Sequence, residues 1–143
     1  MTDASFRARE GPGSQGGEPA VTVLAVDDQA VFLRTARRLI AASPGFRQVG
    51  EARSGPEALA LAAELEPDFV LLDVRMPGMD GIETARRLAA VLPGAVVVLV
   101  SLDPVPDMPG EAPVPGAAAY VRKQDLSMCS LREIWAAHGH PVG

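Results

Sequence analysis

Five side chains with acid, hydroxyl or ammonium chemistry each follow a short apolar run of the sequence. They are three carboxylates, one hydroxyl and one ammonium: Asp27, Asp28, Asp73, Ser101 and Lys123. Three carboxylates in one crevice repel one another, and a hard cation with oxygen ligands, such as Mg²⁺ or Mn²⁺, relieves that repulsion. One carboxylate can then attack phosphorus, while the hydroxyl, the ammonium and the cation bind phosphoryl oxygens. The residue types therefore predict metal-assisted phosphoryl transfer.

These five residues come together if the apolar runs form one parallel sheet. Strands are predicted over residues 21–26, 46–52, 69–72, 95–100 and 117–121. Helices are predicted over residues 29–42, from the cap Ser54 to Pro67, over 81–92 and over 127–138. The alternation of nearly continuous apolar strands with helices predicts a doubly wound α/β domain whose sheet is covered on both faces. Ligands bind beyond the carboxyl ends of the strands in such a sheet, where all five residues stand.

Apolar residues recur along the predicted helices at the spacing of one buried face. In the first helix that face is formed by Phe32, Ala36, Leu39 and Ile40. In the helix over 81–92 it is formed by Ile82, Ala85, Leu88, Ala89 and Leu92. In the last helix, Leu131 and Trp135 are predicted core residues.

The segment between Ser101 and Gly116 interrupts the alternation. A fourth helix belongs there, but the segment contains Pro104, Pro106, Pro109, Pro113 and Pro115. Each proline in a helix interior costs about 3 kcal/mol. A regular helix of three turns is therefore excluded, and at most one short turn is expected.

Composition divides the 143 residues into one domain and two tails. Residues 1–19 are rich in glycine, proline and polar side chains, and they are predicted to form a disordered tail. One folded domain is expected over residues 20–139, with a C-terminal tail over 140–143. The net charge of −5 argues against direct binding to nucleic acid.

The same composition predicts a cytoplasmic protein. The single cysteine, Cys129, excludes an intrachain disulfide and fits a reducing compartment. No apolar run approaches the roughly 20 residues that span a bilayer. The N-terminus has no apolar core of a secretory signal. We therefore expect no contact with a membrane.

The strand-end residues resemble the receiver domains of two-component response regulators. The resemblance rests on Asp27-Asp28 after the first strand, the string DVRMPGMDG from Asp73 to Gly81, Ser101 after the fourth strand, and Tyr120-Val-Arg-Lys123 at the fifth. It covers roughly residues 21–138 and is most similar to receivers of the LuxR/NarL type. It implies a flavodoxin-like (βα)5 fold with a five-stranded parallel sheet in the order 2-1-3-4-5 and a degraded fourth helix.

The resemblance also implies a metal and a phosphoacceptor. Asp73 matches the residue that receives the phosphoryl group. Asp28 matches the acid that binds Mg²⁺ directly, and Asp27 its neighbour, which often acts through water. The backbone carbonyl of Arg75 would complete the protein ligands of the Mg²⁺ ion.

Three further residues match the family's response to phosphorylation. Lys123 and Ser101 match the pair that binds the phosphoryl oxygens. Tyr120 would swing inward as Ser101 moves toward the phosphoryl group, which would change the output surface. A purely structural role for Tyr120, as a core aromatic, is an equally good interpretation of the sequence.

The resemblance implies partners rather than a small-molecule substrate. A sensor histidine kinase, a phosphotransfer protein or a small phosphodonor would supply the phosphoryl group. A downstream protein or an output domain outside this sequence would respond, and a homodimer is a further expectation. Such a domain is not a conventional enzyme, since it catalyses only its own phosphorylation and dephosphorylation.

Departures from the family pattern leave one alternative open. Leu102 is bulky where the family often has a small residue, and Gln124 follows Lys123 where proline is common. We also expect Arg75 and Asp103 to pair and to slow attack by water on the phosphorylated aspartate. These features and the proline-rich segment favour, as an alternative, a degenerate receiver that binds its partner without phosphorylation.

Two enzyme classes are disfavoured by their missing motifs. An aspartate-based phosphatase would carry a second aspartate two residues after the nucleophile, but Arg75 stands there. A P-loop NTPase would carry the sequence G-x-x-x-x-G-K-[ST], which does not occur.

Overall fold

The computed structural model describes residues 20–102 and 116–139. Its five strands are β1 (Val21–Val26), β2 (Phe46–Ala52), β3 (Phe69–Asp73), β4 (Val96–Ser101) and β5 (Ala119–Arg122). They form one parallel sheet in the order β2-β1-β3-β4-β5. The predicted fold class and strand order are therefore confirmed.

Four α-helices connect or follow the strands in the described part of the chain. They are α1 (Ala30–Ala42), α2 (Gly55–Leu65), α3 (Gly81–Val91) and α4 (Met128–His138), and a 3₁₀ turn (Lys123–Asp125) precedes the last of them. Helices α2 and α3 cover one face of the sheet, and α1 and α4 cover the other. None of the helices described within residues 20–102 and 116–139 is long and apolar enough to cross a membrane.

The central strands are apolar because both of their faces are buried. Every residue of β3 and β4 is buried, and alternate side chains face opposite layers. Val70 and Leu72 pack toward α2 and α3, whereas Phe69 and Leu71 pack toward α1 and α4. Full burial stabilises each such side chain by about 1.5–3 kcal/mol, so a polar residue within these strands would be costly. Only their last positions can carry polar chemistry.

The amino-terminal ends of the adjacent strands β1 and β3 are held by four hydrogen bonds between Thr22 and Asp68. Asp68 Oδ2 accepts hydrogen bonds from the Thr22 backbone N–H at 2.9 Å and from the Thr22 hydroxyl at 3.0 Å. The Asp68 backbone N–H donates in turn to Thr22 Oγ1 and to the Thr22 carbonyl, both at 3.0 Å. These hydrogen bonds fix this end of the sheet.

Side-chain caps set where the helices begin. The predicted cap Ser54 is confirmed, since its hydroxyl accepts the Glu57 backbone N–H at 3.2 Å. Asp80 caps α3 in the same way by accepting the Glu83 N–H at 2.9 Å. Such a cap contributes about 1 kcal/mol. The loop that follows Asp73 therefore ends at a defined point, and α3 starts at a fixed distance from the sheet.

One predicted core residue is wrong, and several predicted boundaries shift by one or two residues. Ile82 is 41% exposed, because it stands in the first turn of α3 on the side away from the sheet. Thr84 is buried in its place, and its hydroxyl is satisfied by donating to the Asp80 carbonyl at 2.7 Å. Strand β5 begins at Ala119 rather than at residue 117 and continues to Arg122.

Three expectations lie outside the described residues. These are the disordered tail over 1–19, the loss of helix within residues 103–115 and the tail over 140–143. The described chain resumes at Gly116, which has a positive φ of 92° and lies against α3. A Cβ at Gly116 would stand 2.7 Å from the Ala85 carbonyl oxygen, so a side chain there would collide with the helix backbone.

Candidate functional site

Three carboxylates meet at the carboxyl edge of the sheet. Asp27 directly follows β1 and Asp73 ends the neighbouring strand β3, since Val26 aligns with Leu72 across the strand pair. Asp28 is the next residue after Asp27. One carboxylate oxygen from each of the three acids lies within 4.8 Å of the others. The structure thus brings together the acids that the sequence placed at strand ends.

The hydroxyl and the ammonium come from the next two strands. Ser101 ends β4, one residue beyond Val100, which aligns with Asp73. Lys123 follows β5 and begins the 3₁₀ turn. Ser101 is 1% exposed, and the Lys123 side chain is 11% exposed. Both side chains therefore work in surroundings with little water, where charge interactions are strong.

Lys123 is the positive charge of this site. Its Nζ lies 2.7 Å from Asp27 Oδ2 and 3.5 Å from Asp73 Oδ1. The Asp27 side chain is fully buried, and that of Asp73 is 7% exposed. A buried ion pair of this kind is costly to form but more costly to break, because removing one partner leaves an uncompensated charge. One ammonium here serves two buried carboxylates.

Asp27 also ties the site to the start of α1. Its Oδ1 accepts the Gln29 backbone N–H at 2.7 Å. Its Oδ2 is buried and lacks any partner with hydrogen-bond geometry, although the Lys123 ammonium is close. A buried carboxylate oxygen with an unsatisfied lone pair is a suitable ligand for a hard cation or its bound water.

Burial raises the pKa of Asp73 from 3.8 to about 6. The negative charge of Asp27 adds to the rise, and Lys123 opposes it. Repulsion and desolvation together therefore exceed the attraction of the single ammonium. Lys123 therefore neutralises the carboxylates only in part, and a bound cation would favour the ionised form of Asp73.

The donor set fits Mg²⁺ or Mn²⁺. Oxygens that bind Mg²⁺ at about 2.1 Å lie roughly 3–4 Å from one another, which three oxygens within 4.8 Å can satisfy. Asp28 is only partly buried, so water can complete the coordination. Arg75, whose carbonyl is the expected fourth ligand, is exposed in the loop after Asp73. The residues present thus match the predicted cation in type and spacing.

Close contact between α3 and β3 fixes the loop after Asp73. The Gly81 N–H donates to the Val74 carbonyl at 2.9 Å, and the Val74 N–H donates to the Val100 carbonyl at 3.0 Å. A Cβ on Gly81 would stand 2.2 Å from the Asp73 carbonyl oxygen. Position 81 therefore requires glycine because of this approach.

Substitution of Gly81 by alanine should destabilise the protein by about 2–3 kcal/mol, because backbone must move to accept the methyl group. Gly78 in the same loop is a matched control. It has a positive φ of 77° but open space around it, so Gly78→Ala should cost only about 1 kcal/mol. Urea unfolding of both variants measures the difference. Equal losses of unfolding free energy in the two variants would show that the approach of Gly81 to Asp73 does not make the substitution more destabilising.

The remaining predicted residues lie around this centre. Tyr120 aligns with Leu99 and is half-buried against the α2/α3 layer, a position compatible with either of its two interpretations. Leu102 is 75% exposed next to Ser101. The expected pairing of Arg75 with Asp103 cannot be placed, since Asp103 lies outside the described residues.

One residue beside the site was predicted only as a core residue. Phe32 lies in α1, and its ring centroid is 4.5 Å from Lys123 Nζ. The sequence showed only its place on an apolar stripe. Its position one helical turn after Asp28 was the available signal, because that turn begins at the same edge of the sheet.

Comparison with known proteins gives a consistent result. A family model described as the response regulator receiver domain matches residues 23–133. The response regulator GacA of Pseudomonas aeruginosa is 41% identical over 106 residues, which are 72% of this chain and 48% of GacA. The nitrate/nitrite response regulator NarL of Escherichia coli is 43% identical over 82 residues, 57% of this chain and 38% of NarL. The chain thus spans about half the length, or less, of these relatives.

Solved structures show the same fold. The signal receiver domain of NarL from Mycobacterium tuberculosis has a TM-score of 0.66 at 32% identity, covering 84% of this chain and 94% of that domain. A DNA-binding response regulator of the LuxR family from Staphylococcus aureus has a TM-score of 0.71 at 26% identity, covering 84% and 99% of the two chains.

Proposed function

The chain belongs to the response regulator receiver domain family, and from this membership we propose that Asp73 accepts a phosphoryl group in a Mg²⁺-dependent reaction. The donor would be a histidine kinase, a phosphotransfer protein or a small phosphodonor. The observation that supports this best is the cluster of Asp27, Asp28 and Asp73 beside the Lys123 ammonium. Three buried or half-buried carboxylates here share one neutralising ammonium. Such a site is better suited to binding a cation and a phosphoryl group than to stabilising the folded core without a ligand.

Each side chain has a distinct task in the proposed reaction. A carboxylate oxygen of Asp73 attacks phosphorus, and the bond from phosphorus to the donor atom breaks with its electron pair leaving on the donor. Lys123 donates N–H bonds to a phosphoryl oxygen, and Ser101 offers its hydroxyl to another. Asp27 and Asp28 would hold the cation, and a bound cation would supply positive charge that neutralises the phosphoryl oxygens.

The proposed consequence of phosphorylation is a changed protein interaction. The buried Ser101 would turn toward the new phosphoryl group, and Tyr120 at the edge of the α2/α3 layer would follow. The relatives named above are response regulators, and the one from Staphylococcus aureus is described as DNA-binding, so the responding partner is proposed to be an output domain or a downstream protein.

Intact mass after incubation with acetyl phosphate and Mg²⁺ tests this proposal. We expect the gain of one phosphoryl group, and no gain in Asp73→Asn or when the cation is chelated. Asp80→Asn is the matched control, since Asp80 caps α3 at the surface and asparagine caps equally well. No gain by the folded wild-type chain, while a known receiver reacts, would refute the proposal and favour the degenerate alternative.

A further inference from the structure

The Lys123 ammonium touches an aromatic ring as well as two carboxylates. Its Nζ lies 4.5 Å from the centroid of the Phe32 ring, within the roughly 6 Å range of a cation–π contact. Phe32 is 9% exposed and the Lys123 side chain 11%, so little water screens the contact. Asp27 Oδ2 and Asp73 Oδ1 lie 2.7 and 3.5 Å from the same nitrogen.

The ring differs chemically from these two carboxylates. A carboxylate attracts the ammonium and also offers lone pairs that can accept its N–H donors; Asp27 Oδ2 lies 2.7 Å from Nζ, although without hydrogen-bond geometry. The face of Phe32 attracts the charge through its quadrupole and offers no lone pair. An ammonium held by a ring therefore keeps N–H donors free for another anion.

Backbone bonds fix Phe32 relative to the same carboxylate. Asp27 Oδ1 accepts the Gln29 N–H, and the Gln29 carbonyl accepts the Phe32 N–H at 3.1 Å. The first turn of α1 thus links Asp27 to Phe32 directly. The ring and the acid lie against the ammonium in an arrangement set by one helical turn.

We propose that Phe32 is a positioning residue for phosphoryl transfer, whose ring face holds the Lys123 ammonium over the site while Asp27 and Asp73 engage the cation and the phosphoryl group. In the metal-free site the carboxylates dominate, because full charges at 2.7 and 3.5 Å attract more strongly than a quadrupole. If a cation binds these carboxylates, they attract the ammonium less strongly. The ring is then the remaining attraction that keeps the ammonium at the site. The inference rests on the function proposed above.

Fluorination of Phe32 isolates this effect. Site-specific replacement by phenylalanines with one, two and three ring fluorines withdraws electron density from the ring face with little change in shape. We expect the second-order rate constant for phosphorylation by acetyl phosphate at saturating Mg²⁺ to fall stepwise, by about five-fold at three fluorines. Intact mass over time measures the rate.

Phe69 is the matched control for the fluorine series. It is fully buried in the same layer and contacts the rings of Phe46 and Trp135. The same substitutions at Phe69 should leave the rate constant unchanged. A rate that is equal across the Phe32 series, or that falls equally in both series, would overturn the inference. Failure of the proposed function gives a different result, namely no phosphoryl uptake by the unsubstituted chain.

Replacement of Phe32 by two of the standard amino acids gives an independent test. Phe32→Leu keeps an apolar side chain but removes the ring face, and we expect a rate about five-fold lower. Phe32→Tyr restores a ring face and should restore most of the rate. In metal-free protein, the ε-methylene protons of Lys123 should show a ring-current shift that disappears only in Phe32→Leu. A leucine variant with the wild-type rate would overturn the inference even if the shift disappears.

Discussion

Replacing Lys123 by methionine should lower the free energy of unfolding of the metal-free protein by about 3 kcal/mol. Methionine keeps an unbranched apolar stem but removes the charge. Asp27 and Asp73 would then lie buried beside each other without the ammonium that contacts both of them. Such a loss is larger than the loss caused by most single substitutions outside a hydrophobic core.

Added Mg²⁺ should recover part of this stability, because the cation takes over the neutralising role of the ammonium. Urea unfolding with and without Mg²⁺ measures both effects. Arg37→Met is the matched control, since Arg37 pairs with Glu51 at 2.8 Å but is largely exposed. We expect a much smaller loss there and no response to Mg²⁺. Equal losses in the two variants would mean that the Lys123 pairs behave as surface pairs.

Substituting Asp73 by asparagine should stabilise the metal-free protein at neutral pH by about 1–2 kcal/mol. Because burial and Asp27 raise the pKa of Asp73 to about 6, the folded state binds a proton more tightly than the unfolded state. The contribution of Asp73 to stability is therefore most favourable below its ordinary pKa of 3.8 and falls as the pH rises to about 6. Asparagine cannot ionise, so the variant should not lose this stability as the pH rises.

Denaturation at about pH 4 and about pH 7 tests the sign of this effect. The stability gain of Asp73→Asn should be present at the higher pH and nearly absent at the lower. Saturating Mg²⁺ should reverse the order at neutral pH, since the wild type offers one more anionic ligand. Asp80→Asn should show no such pH dependence, because Asp80 is an exposed helix cap. An asparagine variant less stable than the wild type in metal-free buffer at neutral pH would contradict the prediction.

The sequence predicted the sheet and its chemical edge for a single physical reason. A strand buried on both faces must be apolar until its last residue, so Asp73 and Ser101 marked where β3 and β4 leave the core. The carboxyl ends of parallel strands lie at one edge of the sheet, so the clustering of the acids at that edge could also be predicted.

The features that were missed depend on details that periodicity does not contain. A 3.6-residue repeat gives an apolar stripe but not its rotation about the helix, and the start of α3 at Gly81 turned Ile82 outward. The contact of Phe32 with Lys123 joins residues far apart in the chain. It depends on how α1 packs on the sheet relative to the 3₁₀ turn after β5, which only the assembled fold defines.

The two ends of the β1–β3 pair experience opposite forces. At one end, Thr22 and Asp68 hold the strands together through four hydrogen bonds and need no ligand. At the other end, Asp27 and Asp73 repel each other unless positive charge lies between them. The β1–β3 pair is therefore held by hydrogen bonds at one end and by a balance of charge at the other. A cation or a phosphoryl group bound at the carboxyl edge would change that balance and leave the hydrogen bonds between Thr22 and Asp68 unchanged.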